Sequence, residues 1–157
     1  MQSLFMKKFV SPLLTGLLVV FTAAACDGPL DPEEHPEAGG VVILQRGTNT
    51  VLARSVGARA AFDKPLQLRV GQAAEVEVKF LDSDNPNDLS RAFLPDETEG
   101  ESLVLTVANP AIAAFDFHGD HGDFEGLAPG TTTATVQLFH GGHSDFDSGT
   151  LTINVTQ

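Results

Sequence analysis

The chain has 157 residues, with 21 Asp and Glu against 9 Lys and Arg, 11 Phe, no Trp or Tyr, and one Cys. One ordinary domain fits that length, and a lone cysteine excludes both an intramolecular disulfide and an all-thiolate metal site. The acidic balance excludes nucleic acid as a partner, because no Lys/Arg surface exists to replace phosphate counterions.

Lys7 and Lys8 precede an apolar run over residues 9–25. A basic start, an apolar middle and small residues at the end make a secretory signal, shorter than the ~20 residues of a comfortable transmembrane helix. The run closes on Ala23-Ala24-Ala25-Cys26, ahead of Asp27. These residues resemble the lipobox of bacterial lipoproteins, with Ala23 where Leu is usual. The resemblance implies that residues 1–25 are a lipoprotein signal peptide and that Cys26 becomes the lipidated first residue. Removing 25 residues leaves 132, with 7 Lys and Arg against 21 acids, a formal charge of −14. Such a surface does not attract anionic lipid, so acyl chains would supply the membrane anchorage. The expected location is the bacterial cell envelope, lipid-anchored, on the periplasmic or outer face.

Residues 26–40 are polar and rich in Pro, Glu and Gly, which reads as a flexible tether. The domain is expected over 41–157. Val41-Val42-Ile43-Leu44 is a short apolar run, and residues 49–52 begin a second strand. Leu66, Leu68 and Val70 alternate with Gln67 and Arg69, and Val76, Val78 and Phe80 alternate with Glu75, Glu77 and Lys79. Period-two patterning places one face in a core and the other in water. Residues 81–100, dense in Asp, Asn, Pro and Glu, read as a long surface loop. The acidic run from Asp82 to Asp88 lacks EF-hand spacing and its closing Glu, so it reads as solvated loop rather than calcium site.

Leu103, Leu105 and Val107 resume the alternation, followed by short strands at 113–117 and 124–127. Ala128-Pro129-Gly130 makes a turn. Ala134, Val136 and Leu138 then alternate with Thr133, Thr135 and Gln137, and Leu151, Ile153 and Val155 close the series. Abundant Gly and Pro with no helical period predict an all-β fold, a sandwich of seven to nine strands.

Asn109-Pro110-Ala111-Ile112-Ala113, then Gly126-Leu127-Ala128-Pro129-Gly130, then residues 131–136 resemble the C-terminal half of a bacterial immunoglobulin-like domain. The resemblance covers about 104–155 and implies an immunoglobulin-like β-sandwich used as an adhesive or spacer module. It carries no chemistry of its own.

Two expected hairpin tips depart from that plain pattern. His118-Gly119-Asp120-His121-Gly122-Asp123-Phe124 is matched by His140-Gly141-Gly142-His143-Ser144-Asp145-Phe146, both fitting His-Gly-x-His-x-Asp-Phe. Strand direction sends both tips toward one end of the sandwich. There His118, His121, His140 and His143 are expected to share one divalent ion. Zinc leads, because four imidazole nitrogens suit tetrahedral coordination; Cu2+ and Ni2+ are alternatives, and the absence of Met near the tips argues against copper(I). Asp123 and Asp145 are placed to accept from the distal ring N–H groups or to ligate directly, with Asp120 a further carboxylate. After Arg91 no Lys or Arg occurs through Gln157, while ten acids do, a field that concentrates cations. The expected role is metal capture or delivery to an envelope metal transporter. The alternative is a structural or adhesive module with no metal role. His35 reads as part of the tether. Without a nucleophile elbow, phosphate loop or His-Glu-x-x-His segment, no catalytic residue is expected.

Overall fold

The computed structural model describes residues 36–157. The signal segment 1–25, Cys26 and His35 lie outside the described residues. Ten strands follow in chain order: β1 (Ala38–Gln45), β2 (Thr50–Val56), β3 (Leu66–Arg69), β4 (Ala73–Asp82), β5 (Glu101–Val107), β6 (Ala113–Phe117), β7 (Gly122–Gly126), β8 (Gly130–His140), β9 (His143–Asp147) and β10 (Leu151–Thr156). They form two sheets, ordered β2-β1-β4-β7-β6 and β3-β10-β8-β5, with β9 also paired to β8. Among the described strands β3 and β10 form the one parallel pair, and the isolated bridge Val70–Gly126 is parallel too. The fold is an immunoglobulin-like β-sandwich, with ten strands where the alternation predicts seven to nine.

The alternating strands do what their period dictates. Val76, Val78 and Phe80 of β4, Ala134, Val136 and Leu138 of β8, and Leu151, Ile153 and Val155 of β10 are all buried in one core between the sheets. Phe80 from the first sheet meets Phe146 of β9 edge to face, with centroids 6.0 Å apart. This arrangement suits the ring quadrupoles.

β1 breaks the alternation for a reason visible in its surroundings. Val41 and Ile43 face the main core, while Val42 and Leu44 form a second cluster with Leu81, packed by Val51 and Ala92. A strand covered on both faces reads as a continuous apolar run. The strand begins at Ala38, ahead of that run, because Gly39 and Gly40 fit where a side chain would not. A Cβ on Gly40 would collide with the Ser55 carbonyl oxygen.

The cover over the second face is the segment after β4, which is more ordered than its composition suggests. Phe80 and Phe93 exchange backbone hydrogen bonds of 2.8 and 2.9 Å. Two short 3-10 turns, Leu89–Arg91 and Glu97–Glu99, are capped by Asp88 and Asp96, whose carboxylates accept from the backbone of Ser90 and Thr98. These aspartates act as caps in the way their short acceptor side chains favour.

Register fixes two poles. Ala38 pairs with Asp82 at one, the entry pole. At the other, the exit pole, Thr156 pairs with Arg69, Val155 with Gly130, and Val70 bridges to Gly126. β4 runs from the exit pole to the entry pole in 10 residues, about 30 Å at ~3.3 Å per residue.

Candidate metal sites at two hairpin tips

The two histidine motifs are the turns of the β6–β7 and β8–β9 hairpins. Both hairpins point from the exit pole toward the entry pole, as strand direction predicts. Their arms differ in length: β7 has 5 residues and β8 has 11. The β6–β7 turn lies just beyond Gly122, which pairs with Val76, so His118 and His121 stand near the level of Glu77, while His140 reaches the entry pole beside Ala38. The five positions from Glu77 to Asp82 set the levels of the tips about 16 Å apart along the strands. The tips also belong to different sheets. The register sets the two histidine pairs at different levels of the sandwich, and among the described residues no group of three or more His, Cys, Asp or Glu stands in a metal-holding arrangement.

What the structure brings together is each histidine pair with its own aspartates. In β8–β9, His140 and His143 are direct cross-strand partners with ring centroids 6.0 Å apart. Asp145 lies between them, its Oδ2 3.2 Å from His140 Nδ1 and its Oδ1 2.8 Å from His143 Nε2. In β6–β7, the His118 N–H donates to the His121 carbonyl at 2.8 Å, closing the turn, and the rings stand 5.2 Å apart. His118 Nε2 is 3.3 Å from Asp123 Oδ2 and 3.9 Å from Asp116 Oδ2. His121 Nδ1 is 2.6 Å from Asp120 Oδ1. Asp123 Oδ1 is buried without a hydrogen-bond partner.

Gly119 and Gly141 hold φ of +89° and +56°, and Gly142 holds +99°. Tight hairpin turns need this left-handed backbone, which glycine adopts at no steric cost. That explains the Gly after the first His in each copy.

The electrostatics of the tips are unequal. The His121 ring, as hydrogen-bond partner, holds the Asp120 carboxyl below the usual carboxylate range, and Arg46 adds to this. Arg46 Nη2 stands 3.6 Å from Asp120 Oδ2, so one carboxylate of that tip is already shared with a cation. At the entry pole no Lys or Arg among the described residues makes an ion pair with Asp145. Instead His140 and Asp145 line a groove of about 420 Å3 with Glu37, Glu99 and Glu101. Sequence reasoning missed these glutamates. The signal was the register of β5 on β8, which sets Glu101 opposite His140. Asp147, nearby in sequence, is engaged elsewhere: Gln137 Nε2 and Ser144 Oγ donate to it and lower its pKa.

The phenylalanines of the motifs serve packing. Phe124 and Phe146 are buried in the main core, and Phe115 packs on Phe124 with centroids 4.7 Å apart.

No protein-family model matches the chain, and no curated protein matches it. Among solved structures it is similar to domains 4 and 5 of the S-layer protein SbsC, at 16% identity and a TM-score of 0.39. That similarity covers 60% of this chain and 49% of the other, so the chain spans about half the length of the structure it matches.

Proposed function

We propose that this chain is a structural or adhesive immunoglobulin-like module, held at the bacterial cell envelope by lipid on Cys26. One observation carries the reading: β1 and β10, the first and last strands, are interior strands of their sheets, and they open at opposite poles. Tension applied across the poles pulls β1 and β10 along their own axes. The hydrogen bonds to β2 and β4, and to β3 and β8, then resist together rather than one at a time. Pulling the domain by attachment points at residues 36 and 157 tests this. The expected result is one cooperative rupture of the whole sandwich; stepwise peeling at low force would reject a load-bearing or adhesive role.

A second reading is favoured by a separate observation, the direction of both His140 and His143 toward the single carboxylate of Asp145. It is capture of a divalent transition ion, zinc first and Cu2+ or Ni2+ after it, with delivery to an envelope metal transporter. Imidazoles pre-oriented by a carboxylate are better ligands than free ones.

A further inference from the structure

The sheets end in the edge strands β2 and β6 on one side of the sandwich core and β3 and β5 on the other. An edge presents a row of unpaired N–H and C=O groups, which proteins blunt with a cover, a bulge, a Pro or a charge. β2 is covered: Asp63 engages both the N–H and the C=O of Arg54, and Lys64 Nζ donates to the Val51 carbonyl at 2.8 Å. β3 has 4 residues and ends on Arg69, and β6 has 5 with Asp116 among them. β5, with 7 residues, has no Pro, no Lys and no shift in its register on β8. The Ala108 N–H donates to the Thr133 carbonyl, so alternation turns the backbone groups of Ser102, Val104 and Thr106 toward β8 and those of Leu103, Leu105 and Val107 outward. Among the described residues no hydrogen bond reaches these outward groups, whereas the outward N–H of Glu101 donates to the Asp96 carbonyl.

The core is open along the same edge. Leu103, Leu105 and Val107 pack against it but are only partly buried. The strand carries one charge, Glu101, at its start, and that carboxylate accepts from the Asp96 N–H. The described residues hold seventeen acids against seven Lys and Arg, so a nearly neutral strand is where a like-charged copy meets little repulsion. We propose that two copies of this chain pair antiparallel along β5, about a twofold axis through Val104, joining their β3-β10-β8-β5 sheets into one. That register is self-complementary. Leu103 falls opposite Leu105 of the second copy, Ser102 opposite its Thr106 and Glu101 opposite its Val107, so no carboxylate faces another. The outward groups of Leu103 and Leu105 then close ladder hydrogen bonds, and the partly covered leucines leave water. A twofold contact uses up both edges and stops at two copies. Seven residues span only about 24 Å at ~3.4 Å each, a strip smaller than the ~800 Å2 per partner of a standard interface, so the dimer is a reversible one. Such pairing needs neither a bound metal nor tension across the poles.

Sedimentation equilibrium of the untagged full chain, in density-matched detergent from about 1 μM to about 500 μM, tests this. Monomer is expected at the lower end and dimer at the upper. Val104→Lys and Val104→Glu each set like charges directly opposite one another on the axis, and each should weaken association by about tenfold or more. An equimolar mixture of the two should recover the dimer, because the facing charges then attract. Thermal unfolding of each variant establishes that it is folded. A wild-type chain that stays monomeric, or that grows beyond a dimer, would overturn the proposal. So would a dimer that persists undiminished in both variants, since the contact would then lie on another surface or on the N-terminal segment. A mixture no more associated than its separate components would overturn the register through Val104.

Discussion

Asp82 ends β4 with its side chain only 6% exposed. Arg91 donates to its Oδ2 from Nε and Nη2, both at 2.5 Å, and the Asp84 N–H donates to Oδ1 at 2.9 Å. The Arg91 hydrogen bond, with the backbone N–H of Asp84, holds this carboxyl below its usual value against the opposing effect of burial. A carboxyl whose pKa is depressed on folding contributes stability that is present above its unfolded pKa of about 3.9 and is lost as pH falls through the folded value. Asp82→Asn should therefore lower the melting temperature at neutral pH and flatten its fall below about pH 4. Arg91→Met should lower it at neutral pH too, with acid restoring part of the loss by neutralising a covered charge that has lost its partner. Thermal melts from pH 7 to pH 3 check both, and parallel curves for wild type and Asp82→Asn would reject the assignment. Nothing local in the sequence separates Asp82 from Asp84 or Asp88. Its partner lies nine residues on, and only the path of the loop over β1 brings the two together.

At the scale of elements, strand direction was legible and strand extent was not. The alternation holds over Val76–Phe80 of β4, Thr132–Leu138 of β8 and all of β10, so their faces follow directly from the residues. β9 has one buried apolar residue, Phe146, among His143, Ser144, Asp145 and Asp147, so no period marks it. It is a strand because it pairs with β8, with Gln137 bonded to Asp147 across the ladder. The candidate sites share this asymmetry. The repeated motif marks two hairpin turns with local His–Asp contacts, and how near they come depends on the arm lengths of β7 and β8. Those lengths are set by pairing partners far away in the chain. β7 also shows a constraint that composition hides, since its glycines are places of close approach. A Cβ on Gly126 would stand 2.5 Å from the Arg69 carbonyl oxygen and 2.9 Å from Val155 Cγ1, where the first sheet touches β3 and β10. Backbone cannot yield as a side chain does, so Gly126→Ala should destabilise the domain by about 1–3 kcal/mol, the usual cost of overpacking. Denaturant unfolding at constant m-value measures this, and an unchanged midpoint would mean that the poles are looser than the register implies.

For the molecule as a whole, the distribution of charge decides more than any single ion pair. The described residues hold seven Lys and Arg against seventeen acids, and all seven cations lie at or before Arg91. The ion pairs Lys79–Glu77 and Arg46–Asp120 involve partly exposed side chains. Pairs of that kind contribute about 0–1 kcal/mol each and weaken when salt is added. Against them stands the mutual repulsion of an excess of acids, much of it spread over β5 to β10, which carry no Lys or Arg of their own. The screening length falls from about 30 Å at 0.01 M salt to about 10 Å at 0.1 M. Since β4 alone spans about 30 Å, repulsion across the whole domain operates at the lower salt and is confined to near neighbours at the higher. The long-range term is therefore screened more than the short ion pairs are, and repulsion should win. Raising NaCl from 10 to 150 mM is expected to increase the melting temperature by a few degrees, with Mg2+ at equal ionic strength giving no larger shift unless it occupies the acidic groove at the entry pole. A melting temperature that falls with NaCl would show that the ion pairs outweigh the excess of acids.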